Sequence, residues 1–317
     1  MVGNKKITLR GGSMDDDPEL QQSLARVESL FRTHPGSPTA TSGVVREFFE
    51  QREEEAAQVG ATGYMVRAMT QATLPYRQAS GNEFMRTNGR ITLTIMTPSR
   101  AGGLPYGTIP RLLIAYISSE AVKNMERTVF LGRSLTGFMR TLGFQVTGGK
   151  QGSMLRFQQQ ARRLFTSNIS VIKNDIAGAQ IEEGCRIADK SIIWWDPQNP
   201  AQQSLFESTV HLTERFFKEI IDSPVPINMD ILREIRNSPM SMDIYFWLEA
   251  RKQYLTGPAI EPWEVLGAQF GCEFNRPRDF RRTFIEHLQK VGPFISKEMI
   301  VDITDKGLHL KRAKLIK

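Results

Sequence analysis

Four arginines lie close together in one short segment, and their side-chain chemistry suits nucleic acid. Residues 276–290 read RPRDFRRTFIEHLQK. The planar guanidinium of arginine can contact guanine through two hydrogen bonds or hold a phosphate. A helix N-terminus adds its own attraction for phosphate. The segment therefore predicts a DNA contact made by Arg276, Arg278, Arg281 and Arg282.

The same segment has an apolar stripe that would bury one face of a helix. Large apolar residues recur at spacings of four, four and three residues, which is the period of a helix packed on a core. We expect a helix over residues 277–291 with the arginines at its N-terminal end. The alternative is a surface helix whose arginines are solvated and partly paired with Asp279 and Glu286. The apolar stripe consists of Phe280, Phe284, Leu288 and Val291.

The elements predicted before and after this helix indicate the fold that positions it. A helix over 240–255 and a short helix over 261–271 precede it, and two β arms over 299–312 follow it around Asp305-Lys306-Gly307. Three helices followed by a β-hairpin is the order of a winged helix, in which the last helix enters the major groove and the hairpin follows the backbone. Lys290 and Lys306 are therefore predicted as further DNA contacts.

A similar series lies upstream, offset by about 130 residues without identity at the residue level. It consists of predicted helices over 110–125, 134–143 and 153–165, followed by strand-rich segments that favour a hairpin. The alternative for the two arginines late on its third helix is a domain or dimer interface. The DNA-contact candidates of this first series are Lys150, Arg156, Arg162 and Arg163.

The series predict an α+β fold with two tandem winged-helix domains. Residues 1–45 have few aliphatic residues and many turn signals, which predicts a poorly ordered N-terminal segment. The first domain is expected over 46–203, starting with a helix at 46–58 and a hairpin at Asn88-Gly89. The second is expected over 204–317, where residues 204–221 supply a strand and a helix at the junction.

Charge and composition limit the classes of partner. The net charge is +7, and the basic excess is concentrated in residues 61–200 (+9) and 276–317 (+6). Such blocks favour a polyanion, whereas mere solubility predicts scattered charge. No run of about 18 apolar residues indicates a membrane span. Cys185 and Cys272 stand far apart without a metal-ligand pattern, so we expect a reducing cytoplasm and no disulfide framework.

The sequence does not predict an active site. The glycines around 143–149 lack the Lys-Ser/Thr pair of a phosphate-binding loop, and the four histidines occur singly. A nicking enzyme that uses tyrosine normally needs a divalent metal, for which no ligand spacing exists. We expect a protein that binds DNA without catalysis, with no metal and no cofactor.

Several segments together resemble the RepA-type plasmid replication initiators. They are NGRITLTI, GLPYGTIPRLLIAYISSEAV, LGRSLTGFMRTLGF, GSMLRFQQQARRLF, SPMSMDIYFWLEARK, EPWEVLGAQFG and RDFRRTFIEHL. The similarity covers roughly residues 83 to 295, and its most specific parts are LPYG-x-x-PR and the SLTGFMRTLG element. Little of the resemblance falls in the N-terminal 80 residues.

The resemblance implies a function in replication. Members of this family bind repeated elements, called iterons, in double-stranded origin DNA, help to open the duplex and recruit the host replicative helicase and host initiator. It also implies a homodimer, formed through the first domain, that represses its own gene. By position, Arg278, Arg281 and Arg282 would contact the iteron and Arg156 the adjacent backbone or groove. A transcriptional regulator with tandem winged helices would share all of these physical features and remains the alternative.

Overall fold

A computed structural model describes residues 62–71, 73–88, 91–149, 152–174, 180–193, 207–271, 274–295 and 299–313. The chain divides into one unit of residues 1–60 and a second of residues 61–317. All the described residues belong to the second unit. The predicted N-terminal segment 1–45, the predicted helix 46–58 and Lys150 lie outside the described residues.

Helices alternate with short strands along the described chain. Capping side chains start several helices: Ser134 accepts a hydrogen bond from the Gly137 N–H, and Ser238 accepts one from the Ser241 N–H. The helices are α1 (Arg67–Gln71), α2 (Thr108–Asn124), α3 (Leu135–Thr141), α4 (Ser153–Thr166), α5 (Glu214–Asp222), α6 (Met229–Ile235), α7 (Pro239–Tyr254), α8 (Trp263–Phe270) and α9 (Pro277–Ile295).

The strands form four small sheets in which every described pair is antiparallel. The sheet orders are β1-β9, β2-β3-β5-β6, β4-β8-β7 and β10-β12-β11. The strands are β1 (Thr62–Val66), β2 (Glu83–Asn88), β3 (Ile91–Met96), β4 (Thr128–Gly132), β5 (Asn168–Asn174), β6 (Gln180–Arg186), β7 (Ala188–Ile192), β8 (Ser208–Leu212), β9 (Pro224–Asn228), β10 (Ala259–Pro262), β11 (Met299–Ile303) and β12 (Gly307–Arg312).

The same order of elements occurs twice. In the first half, residues 62–228, it is α2, β4, α3, α4 and the β5–β6 hairpin; in the second half, residues 229–313, it is α7, β10, α8, α9 and the β11–β12 hairpin. The third helix of each series packs against the first two. The predicted α+β class and the predicted helices of both series are thus confirmed, with ends shifted by a few residues at most.

Strand pairing distinguishes the halves. In the second half, β10 pairs with β12 of the hairpin that follows α9. In the first half, the β5–β6 hairpin instead extends the β2–β3 hairpin, which is the one predicted near Asn88-Gly89 and whose register pairs Asn88 with Ile91. The strand β4 pairs with β8. The two halves therefore share the order of their elements but differ in how their strands pair into sheets.

Strands on either side of the predicted boundary at residues 203 and 204 pair with one another. Strand β8 hydrogen-bonds to both β4 and β7, and β9 pairs with β1. A boundary between residues 203 and 204 would cut two sheets, because strands on either side of it share hydrogen bonds. The predicted strand and helix at 204–221 are present as β8 and α5, and the division into two domains at residues 203 and 204 stays a prediction.

A buried ion pair joins the first helices of the two series. Arg111 of α2 donates from Nε and Nη2 to the two carboxylate oxygens of Asp243 of α7, each at 2.7 Å. The same guanidinium donates to three backbone carbonyls, those of Leu74, Pro75 and Gly107. Because both side chains are almost fully buried, these bonds fix how α2 and α7 pack.

Gln269 makes a second polar connection between the halves. Its backbone carbonyl accepts hydrogen bonds from Thr73 at 3.3 Å and Arg86 at 3.1 Å. Its side chain donates to the carbonyl of Thr70 and accepts from Asn88. One residue at the end of α8 thus contacts four residues from α1 to β2.

Candidate nucleic-acid interface

The N-terminal end of α9 presents three of the predicted arginines to solvent. Arg276, Arg278 and Arg282 are exposed, while the predicted apolar stripe of the helix is buried, from Phe280 to Val291. The Arg282 side chain is 70% exposed, and its nearest ion-pair partner is Glu286 at 3.8 Å, one helical turn away. A solvated pair of this kind contributes little to stability, so the guanidinium is available to a phosphate or a base edge.

Arg281 has a different environment from its neighbours. Its guanidinium carbon lies 4.9 Å from the centre of the Trp263 ring, in the geometry of a cation–π contact. Its Nη2 donates to the carbonyl of Thr304 and to the carboxylate of Asp305, both at 3.3 Å. The side chain is 38% exposed. Arg281 therefore contacts the hairpin turn that follows α9, which the sequence pattern did not indicate.

The hairpin turn is closed by bonds between its two ends. The Thr304 N–H donates to the carbonyl of Gly307, and the Gly307 N–H donates to the Thr304 hydroxyl oxygen at 3.2 Å. The Trp263 indole N–H donates to the Thr304 carbonyl at 2.9 Å, and the Trp263 backbone N–H donates to the Lys306 carbonyl. Between these fixed points, Asp305 and Lys306 are exposed.

Lys290 lies away from the arginines. It is exposed, about 12 Å from Arg282 along the helix axis at 1.5 Å per residue. Together with His287 it lines a cavity of about 800 Å³. The Nδ1 atom of His287 lies 3.0 Å from the Ser238 hydroxyl and 2.9 Å from the Ser241 hydroxyl. Burial, and then the charge of Lys290, lower the pKa of His287.

The structure separates the arginines of α4 into two groups. Arg156 and Arg162 are exposed, as a DNA contact requires. Arg163 is only 9% exposed, and its guanidinium lies over the Tyr106 ring, 5.5 Å from the ring centre. It also donates to the carbonyl of Leu104. The prediction of Arg163 as a DNA contact therefore needs correction: its position on the inner side of α4 turns the side chain against the 102–106 loop.

Two side chains on the exposed side of α4 were missed from the sequence. Leu155 and Gln159 are both exposed, beside Arg156 and Arg162. A glutamine amide can bond adenine through two hydrogen bonds, and an apolar side chain can contact the thymine methyl group. The helical period of the sequence could have identified them, because both residues fall outside the buried stripe of Phe157, Ala161 and Leu164.

The described residues offer no metal centre and no membrane span. No group of three or more His, Cys, Asp or Glu side chains among them is placed to hold a metal ion. Within the same part of the chain, every helix is too short or too polar to cross a bilayer.

Comparison with known proteins gives one family match. The family model described as plasmid encoded RepA protein matches residues 104–264, just over half of the chain. The match runs from the start of α2 to the start of α8 and leaves α9 outside. No curated protein matches the sequence. The chain is similar to the crystal structure of domains 2 and 3 of RctB, with 11% identity and a TM-score of 0.48, over 77% of this chain and 96% of that chain.

Proposed function

We propose that this chain, which belongs to the family of plasmid-encoded RepA proteins, initiates plasmid replication by binding repeated sites in double-stranded origin DNA. On this proposal it acts as a binding protein and not as an enzyme, and it needs no cofactor. It helps to open the origin, recruits the host helicase and host initiator, and as a dimer represses its own gene.

The second half supports this proposal through its topology. The order α7, β10, α8, α9 and a hairpin, with strand order β10-β12-β11, is the arrangement expected of a winged helix. In that geometry α9 is the recognition helix and its N-terminal residues face base edges, while the hairpin lies along the backbone. Arg278 and Arg282 then contact the major groove, and Lys306 contacts a phosphate.

The first half supports a second contact through α4. Its exposed side carries Arg156, Gln159 and Arg162, which combine phosphate contacts with one side chain able to identify a base. Phosphate contacts supply most of the affinity and release counterions, so binding weakens steeply with salt. Two connected modules on one duplex also bend or strain the DNA between them, and this strain favours melting of adjacent A·T-rich sequence.

One observation carries the proposal: Arg276, Arg278 and Arg282, before and within the first turns of α9, are exposed, while the apolar stripe on the other side of the helix is buried in the core. A surface helix stabilised by its own ion pairs would hold those guanidinium groups against carboxylates. Arg282 instead has one partner at 3.8 Å, a distance at which a solvated pair is easily exchanged for a phosphate.

We expect Arg282→Ala to weaken specific binding by about 1–3 kcal/mol without loss of stability. The matched control is Lys218→Ala on α5. Lys218 is 64% exposed and pairs with a glutamate one turn away, as Arg282 does. Band-shift titrations on DNA surrounding the protein's own gene measure both. Equal affinity of the Arg282 variant and the wild type would contradict the assignment of α9.

Footprinting on the same DNA tests the role in replication. Regularly spaced repeats of about two helical turns are expected of an origin bound by an initiator. The purified protein is then added to a host extract with plasmid DNA carrying these repeats. DNA synthesis that depends on the protein supports initiation, whereas binding and repression without synthesis would identify a transcriptional regulator.

A further inference from the structure

We propose that Arg281 is a positioning residue, which fixes the hairpin turn of residues 304–307 against α9 so that Lys306 is held for the DNA backbone. This inference rests on the proposed function and goes beyond it by giving Arg281 a task different from that of Arg278 and Arg282. The consequence is that α9 and the hairpin bind DNA as one rigid surface.

The carbonyl of Thr304 is the point at which three elements meet. It accepts one hydrogen bond from the Trp263 indole at the start of α8 and a second from the guanidinium of Arg281 on α9. A carbonyl oxygen has two lone pairs, so these two donors satisfy it. The first residue of the turn is thereby fixed to two helices through one atom.

An arginine suits this position better than a lysine. Its flat guanidinium stacks on the Trp263 ring while Nη2 donates to both Thr304 and Asp305. A lysine ammonium carries the same charge but lacks the planar surface and the fork of donors. The Trp263 ring is itself held edge-on against Phe284, with ring centres 6.1 Å apart, so the surface on which Arg281 stacks is anchored in the core.

The position of Lys306 follows from these contacts. Its backbone carbonyl accepts the Trp263 N–H at 3.2 Å, and the next residue, Gly307, is bonded back to Thr304. With both flanks fixed, the backbone of Lys306 is held, so its Cα–Cβ bond leaves the turn in a defined direction. A turn that is already ordered loses less backbone freedom on binding than a mobile one, which strengthens the phosphate contact of the lysine it carries.

The first test needs no DNA. Amide hydrogen exchange over residues 299–312 is measured for the wild type and for four variants: R281A, R281K, W263F and R282A. We expect faster exchange in the first three, because each loses part of the anchor, and unchanged exchange in R282A. Urea unfolding identifies any variant that is globally destabilised. Exchange in R281A equal to that of the wild type would overturn the proposal.

The second test asks whether Arg281 acts through Lys306. Affinity for a duplex from the region around the gene is measured for R281A, K306A and the double variant. We expect R281A and K306A each to lose about tenfold, and the double variant to lose little more than K306A alone. Additive losses would show a direct DNA contact by Arg281 and sink the proposal. If the wild type does not bind the duplex, the proposed function fails, while hydrogen exchange still decides the role of Arg281.

Discussion

At the scale of single residues, several arginines that a count of charges would place on the surface are buried or stacked in the structure. Among the described residues, such contacts include those of Arg111 with Asp243, Arg163 over Tyr106 and Arg281 over Trp263. Each is a site where the planar guanidinium bonds backbone carbonyls, which a lysine could not match. The charge pattern of the sequence therefore overstates how many arginines are available to DNA.

We expect Asp243→Ala to destabilise the fold by about 3–5 kcal/mol, because it leaves the guanidinium of Arg111 buried without its counter-charge. Burial raises the pKa of Asp243, and the charge of Arg111 opposes that rise. The control is Asp189→Ala. Asp189 pairs with Arg127 at 3.0 Å but is about half exposed, so its loss costs about 1 kcal/mol or less. Urea denaturation measures the loss of unfolding free energy in both variants. Equal losses would show that the buried pair contributes no more to stability than the exposed pair.

His287 gives the fold a pH dependence on the acid side. Burial and the charge of Lys290 lower its pKa from the usual 6.5. The folded state then favours the neutral ring, so this contribution to stability is present above about pH 6.5 and is lost as the pH falls through the folded-state pKa. We expect His287→Gln to reduce the loss of stability between about pH 8 and about pH 5.

Urea midpoints across that pH range measure the effect. The comparison is His309→Gln, on the β11–β12 hairpin and not in the cavity of His287. If the His287 variant keeps the full pH dependence of the wild type, the half-buried neutral ring of His287 is not its source.

At the scale of elements, the β11–β12 hairpin depends on one glycine. Gly307 has a φ of +154°, and a Cβ there would lie 2.0 Å from the carbonyl oxygen of Glu261 on β10. We expect Gly307→Ala to cost about 1–3 kcal/mol and to loosen the turn that carries Lys306. The control is Gly257→Ala, where a Cβ meets nothing within 4 Å. Unfolding measurements that show equal stability for the two variants would contradict this role.

The sequence predicted elements better than it predicted their partners. Apolar periodicity placed α4 and α9, and Asn88-Gly89 placed a hairpin, because these signals are local. The pairing of β4 with β8 joins residues about 80 positions apart and leaves no local signal, so the sequence could not indicate that strands on either side of residues 203 and 204 share a sheet.

The candidate site was predicted in part for the same reason. Exposure of Arg278 and Arg282 follows from the helix period, which the sequence contains. The orientation of Arg163 and Arg281 depends on loops that pack from elsewhere in the chain, at Leu104 and Thr304. Both contacts are tertiary, so neither the helix pattern nor the charge count could indicate them.

At the scale of the whole molecule, the described halves are joined by buried polar contacts. The Arg111–Asp243 pair ties α2 to α7, and Gln269 bonds to residues from α1 to β2. Buried networks of this kind resist small displacements, because a partly broken network leaves unpaired charge inside the protein. The two proposed DNA-contacting helices, α4 and α9, are therefore held at a fixed separation and orientation.

A fixed separation predicts strict spacing in the DNA site. Insertion of about five base pairs between the segments bound by α4 and α9 turns one segment to the opposite side of the duplex. Insertion of about ten base pairs returns that segment to the same side but moves it roughly 34 Å further along the duplex. We expect both insertions to reduce affinity by about 100-fold or more, since all contacts of one module are lost and even one mismatched base pair costs about 1–3 kcal/mol. Fluorescence anisotropy on a series of duplexes measures this, and the same insertions outside the footprint are the control. Recovery of affinity at ten base pairs would show that the halves move apart, and would require the buried contacts of Arg111 and Gln269 to break on binding.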